Sequence, residues 1–117
     1  MTAVFAQELD PNGKSPKDPG AKLDANKPLA AQILGMFANA LLAVSDVGTF
    51  GASKYSMGGW QKVENGETRY GDARLRHFLY RTAGEEFDKD SGLPHLAHEA
   101  WNALAELELY LRRTTPL

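Results

Sequence analysis

Apolar positions recur at three- and four-residue spacing in three separate stretches, and each predicts a helix. In the first, Ile33, Phe37, Leu41 and Val44 mark one face beyond Pro28, a residue suited to a first helical turn. Leu34, Met36, Ala38 and Leu42 fill the flanks, which predicts a helix over 29–45 covered on several sides. Gly48 and Gly51 mark its end or a kink, and a short helical piece is expected around 52–56. A second helix runs from about Arg69 to Ala83, with Leu75, Phe78, Leu79 and Thr82 toward the inside and Gly84 as its stop. The last opens near Ser91-Gly92-Leu93-Pro94 and continues to about Arg113. Leu96, Ala100, Ala103, Leu104, Leu107 and Leu111 form its expected core stripe, and Arg112 and Arg113 complement the helix dipole in its last turn. Strand-like alternation, internal repeats and apolar heptads are absent. The pattern predicts an all-α fold, a compact bundle of about four helices.

The start of the chain reads differently. Residues 1–28 hold four of the six prolines with glycines and alternating charges, a composition that packs neither helix nor sheet. Residues 1–18 are expected to form a flexible N-terminal arm and 19–117 the helical domain. Glu8 and Asp10 interrupt any apolar stretch, and no basic segment precedes them, so no secretory signal is readable. The charge-free run Leu29 to Ser45 is too short for a bilayer and carries Gln32, Asn39 and Ser45.

Composition narrows the chemistry. With 13 basic and 15 acidic side chains the formal charge is −2, so no basic field holds nucleic acid directly. Cysteine is absent, which excludes disulfides, cysteine-ligated zinc, iron–sulfur clusters and thiol catalysis, and suits a reducing cytoplasm. Neither a phosphate loop nor a dinucleotide fingerprint nor a Gly-x-Ser-x-Gly elbow occurs, and His98-Glu99 does not continue into a zinc-protease motif.

The sharpest local signal is His95, His98 and Asn102, whose spacings of three and four place them on one face of the last helix. A helix N-terminus disfavours protonated imidazole, leaving His95 and His98 neutral and able to bind metal. The same spacing also suits two histidines hydrogen-bonded across a bundle. Glu85, Glu86, Asp88 and Asp90 crowd the segment just before, either as magnesium or manganese ligands or as a solvated acidic turn. Asp46, the only charge between Lys27 and Lys54, needs a metal, an ion-pair partner or a wet pocket. Arg69, Arg76 and His77 lie on a helix able to line a cleft for phosphate oxygens. Tyr55 and Trp60, in a glycine-rich segment, are placed to stack on a base or simply to pack.

Several segments together resemble a known family: Gly20-Ala21-Lys22-Leu23-Asp24 with Lys27-Pro28, then Thr49-Phe50-Gly51-Ala52-Ser53-Lys54-Tyr55, Gly59-Trp60, Arg69-Tyr70 and Arg76-His77. Gly84-Glu85 and the run from Asp90 to Leu104 complete the order. This set is similar to the phage and prophage dATP/dGTP diphosphohydrolase (pyrophosphohydrolase) domain family, itself similar to the MazG-like all-α nucleotide pyrophosphatases. The resemblance covers roughly residues 19 to 109. It implies a host-cytoplasmic homo-oligomer that hydrolyses dGTP or dATP to monophosphate and pyrophosphate with Mg2+ or Mn2+. Lys22, Asp24 and Lys27 match the family's opening positions, and Lys54, Arg76 and His77 its central basic ones. Glu85, Asp88 or Asp90, His95, His98 and Asn102 match its acidic and histidine block. The catalytic candidates are therefore Asp46, Glu85, His98 and Asn102, and the metal candidates Asp46, Glu85, Asp88, Asp90, His95 and His98. Substrate would meet Lys22, Asp24, Lys27, Lys54, Tyr55, Trp60, Arg69, Arg76 and His77. MazG-like enzymes place paired glutamates on their first helix, where this chain offers only Asp46. That difference motivates an alternative, a non-catalytic protein that sequesters a nucleotide immune signal.

Overall fold

The computed structural model describes residues 8–115. The chain divides into two units, Met1–Met36 and Phe37–Leu117. In the first, Asp10 is the organising residue. The residue is 9% exposed, and its carboxylate accepts hydrogen bonds from the backbone N–H groups of Asn12, Lys14 and Lys22 at 2.9–3.0 Å. Those donors, Lys22 foremost, hold its pKa below the ordinary carboxylate value. Ala25 N–H donates to Leu9 O at 2.8 Å, closing the segment into a loop. A short helix, α1 (Ala30–Gly35), ends this unit.

The second unit contains α2 (Ala38–Lys54), a 3-10 turn over Gly59–Lys62, α3 (Gly66–Thr82) and α4 (His95–Thr114). Among the described residues there is no strand, only two isolated bridges. The fold is all-α, as the periodicity predicts. Among the described residues, no helix is long and apolar enough to cross a membrane.

The first expected helix is redrawn. Instead of one helix over 29–45, helical structure breaks at Met36–Phe37 and α2 then continues through Gly48 and Gly51 to Lys54. Gly48 is neither stop nor kink. A Cβ there would sit 3.0 Å from Trp101 Nε1, so glycine lets α2 lie close against α4. Trp101 in turn meets Trp60 and Tyr70 edge-on, with centroids 5.9 and 5.6 Å away, and the Tyr70 hydroxyl donates to Trp60 O.

Helices α3 and α4 run antiparallel and make the largest contact of the unit. Three ion pairs fix their register: Glu67 with Arg113, Arg74 with Glu106, and Arg81 with Glu99. Successive pairs lie seven residues apart on each helix, in opposite directions, as in an antiparallel coiled coil. Arg81 grips Glu99 with two hydrogen bonds, at 2.7 and 3.0 Å.

The expected core stripes do not face this contact. Leu96, Ala100, Ala103, Leu104 and Leu107 of α4 are exposed, Leu111 is half-buried, and Leu75, Phe78, Leu79 and Thr82 of α3 are exposed as well. The buried positions of α4 are His95, Ala97, His98, Asn102 and Ala105. Nor is the apolar start of α2 covered: Phe37, Leu41 and Leu42 are exposed. Periodicity identifies which face of a helix is apolar, but not what covers it. Here α3 and α4 meet through small and polar residues, and their leucine faces point outward.

Candidate functional site

The segment joining α3 to α4 is shaped mainly by local hydrogen bonds. Helix α3 ends in a Schellman motif: Gly84 N–H donates to Arg81 O and Glu85 N–H to Tyr80 O. Gly84 adopts φ 108°, a left-handed conformation that glycine takes without a Cβ penalty. The chain then folds around Asp88, whose carboxylate accepts from Ser91 N–H at 2.8 Å while its own N–H donates to Leu93 O. His95 N–H donates back to Glu86 O, so the turn is closed where α4 begins. This closure delivers Glu85, Asp88 and Ser91 to the first turns of α4.

Opposite them, α3 presents His77. Its Nδ1 lies 2.8 Å from His95 Nδ1, and its ring stacks on His98 at 4.4 Å with 10° between planes. His98 Nε2 is 2.7 Å from Ser91 Oγ and 3.7 Å from Asp88 Oδ2. One turn on, the buried Asn102 donates through Nδ2 to His98 O. His95 is 1% exposed, and its Nε2 has no hydrogen-bond partner, with Glu85 Oε1 3.5 Å away. Donor atoms of His77, Asp88 and His95 all fall within 4.8 Å of one another, close enough for one small cation to be shared.

Electrostatics act on His77, His98 and Asp88 in the direction that ligation needs. Burial, with the neighbouring His98, pushes the His77 pKa down to about 4, and burial also lowers that of His98. Burial pushes the Asp88 carboxyl up, but hydrogen bonds from Ser91 and the adjacent histidines bring it below its ordinary value overall. Neutral imidazole with an ionised carboxylate is the form a divalent cation takes. This donor chemistry, two imidazoles and a carboxylate within reach of one another, fits a metal ion.

Among the sequence candidates, His77, Glu85, Asp88, His95, His98 and Asn102 thus come together. His77, expected among the substrate-facing residues, lies with its ring inside the donor group. Others lie apart. Asp46 is exposed on α2 and outside the donor group. Asp90 is exposed and pairs with Lys54, not with the histidines. Tyr55 is 77% exposed, with the Lys54 ammonium 5.4 Å from its ring centroid. Trp60 belongs to the aromatic cluster, which favours packing over base stacking. Arg69 donates to Glu64 O, and Arg76 is exposed. Lys22, Asp24 and Lys27 belong to the first unit, where Lys27 pairs with Glu8 at 3.7 Å.

Ser91 and the Arg81–Glu99 pair are additions. The Asp88-x-x-Ser91 spacing of a side-chain-capped turn pointed to the first. Opposed charges repeating every seven residues pointed to the second.

A model of the family described as dATP/dGTP diphosphohydrolase, N-terminal, matches residues 17–115. No curated protein and no solved structure matches the chain. The match spans α1 to α4 together with the whole histidine–carboxylate seam, and the chain therefore belongs to the dATP/dGTP diphosphohydrolase N-terminal family.

Proposed function

We propose that this chain hydrolyses purine deoxynucleoside triphosphates, dGTP or dATP, to the monophosphate and pyrophosphate, using a divalent cation held by His77, Asp88 and His95. The observation that carries the reading is the family match across residues 17–115. The convergence of His77, His95 and the Asp88 carboxylate, beside the stacked His98 ring, supports the metal dependence, with burial holding His77 and His98 toward the neutral form. When bound, the cation would neutralise phosphate charge and make water more acidic.

The chain's own residues supply the rest. His98, neutral and half-paired through Nε2 with Ser91 Oγ, is placed to accept a proton from an attacking water. Asn102 and Ser91 hold that ring in place. Cationic side chains, Lys54 and Arg76 first, neutralise the leaving pyrophosphate. Lys54 must leave Asp90 to do so, an exchange of one exposed carboxylate for phosphate oxygens. The outward leucine faces of α3 and α4 support assembly with further copies of the same chain.

Phosphorus NMR of the protein with dGTP, dATP and GTP, in magnesium and then manganese, tests the reading. A pyrophosphate signal that grows with time and stops on adding EDTA is the expected result. Triphosphate lines that shift or broaden but never convert would establish a nucleotide-sequestering protein instead.

A further inference from the structure

Helix α4 begins with a histidine that is buried on every side yet leaves one ring nitrogen unpaired, and the protonation of that ring can be read from its neighbours. His95 Nδ1 faces His77 Nδ1 at 2.8 Å, and His95 Nε2 faces Glu85 Oε1 at 3.5 Å. If the proton sat on Nδ1, the Nε2 lone pair would point at a carboxylate oxygen inside the fold, acceptor against acceptor. With the proton on Nε2, the same contact becomes attractive and the Nδ1 lone pair turns toward His77 and Asp88. Although 3.5 Å apart and without a hydrogen bond, the Glu85 carboxylate therefore favours by its charge the tautomer that ligates, a looser version of the carboxylate–histidine control of metal sites.

The consequence concerns which ion the site takes. Two of the three donor residues are histidines, so imidazole nitrogens outnumber carboxylates in the group. Magnesium favours oxygen donors and keeps its water, whereas imidazole suits the divalent ions from manganese to zinc with increasing affinity. We infer that this seam is a nitrogen-donor site selective for a first-row transition ion over Mg2+, with Glu85 as the positioning residue that orients His95 rather than a ligand. The inference rests on the metal-dependent reading above and narrows it.

Cobalt(II) is the probe. Calorimetric titration of the full chain should show one Co2+ per chain, undiminished by a hundredfold excess of Mg2+. Glu85→Ala should weaken Co2+ binding by about 10–100-fold, and His95→Ala should abolish it. In the metal-free protein, nitrogen-15 spectra should show His95 protonated at Nε2, and Glu85→Ala should lose that preference, a change that a purely structural role would not produce. Displacement of Co2+ by equal Mg2+, Co2+ binding that survives His95→Ala, or a His95 proton on Nδ1 would each overturn the inference. Should His95→Ala fail to fold, the wild-type competition and tautomer measurements still decide it. Selective Co2+ binding without any dGTP turnover would sink the hydrolase reading alone. Turnover with Mg2+ and no Co2+ uptake would sink this inference alone.

Discussion

The two faces of α4 reverse the usual division of labour in a small helical protein. Toward α3 the helix turns His95, Ala97, His98, Asn102 and Ala105, a seam that is polar or small and buried. Outward it turns Leu96, Leu104 and Leu107, each more than half exposed. A chain of this size normally keeps its leucines inside and its histidines at the rim. The reversal is what the proposed metal-binding role of the seam would require. Buried histidines cost free energy unless they are partnered, and the orphaned His95 nitrogen shows the partnering to be incomplete in the bare chain. The leucine face is in the opposite condition, with its apolar area left exposed among the described residues. The proposed cation would serve the first face and a proposed second copy of the chain the other.

The strongest way to break this comparison is to disable the seam alone. His95→Ala should lower pyrophosphate release by about 100-fold or more, because a ligand and its oriented neighbour are lost together. Steady-state rates with dGTP check it, and a change under threefold would show that the seam is not the site. The converse substitution, Leu104→Glu with Leu107→Glu, should dissociate the assembly while the monomer's stability moves by only about 0.5 kcal/mol, as for other surface changes. Sedimentation velocity and thermal melts separate the two effects. An unchanged sedimentation coefficient would leave the leucine face without its partner.

Acid should loosen the seam before it affects the leucine face. His77 has a pKa of about 4 in the folded chain against an ordinary 6.5. Between those values the unfolded state binds the proton and the folded state does not, so stability falls as pH drops from 6.5 toward 4 and levels off below. Discounted for the ring's partial exposure, the loss is on the order of 1–2 kcal/mol. Denaturant midpoints of the metal-free protein across that window measure it, and a flat profile would contradict the buried neutral ring. The smallest expected effect is at the ion-pair ladder, where Arg81→Ala leaves Glu99 half-enclosed and should cost about 1 kcal/mol. A thermal shift together with intact cobalt binding would assign that pair to register rather than to the site.

How much of this was legible beforehand depends on sequence distance. His95, His98 and Asn102 were readable because three- and four-residue spacing defines a helix face without tertiary knowledge. Asp88 stood in a dense acidic block seven residues before His95, although nothing local separated it from Asp90. The difference came from a turn: Asp88 accepts the Ser91 N–H and faces the seam, while Asp90 pairs with Lys54. His77 lies 18 residues before His95, and only the register of α3 on α4 brings the rings together. That register was written in the seven-residue spacing of Glu67, Arg74 and Arg81 against Glu99, Glu106 and Arg113, a charge pattern rather than an apolar one. The all-α class and the last helix followed from periodicity. The burial did not, because an apolar stripe left exposed has the same spacing as one that is covered.

The most direct measurement is an anomalous diffraction map of crystals grown with Mn2+ and a non-hydrolysable dGTP analogue. The account predicts a manganese peak between His77, Asp88 and His95, with the analogue's phosphates against it. A peak at Asp46 or Asp90 with the histidine seam empty would contradict it.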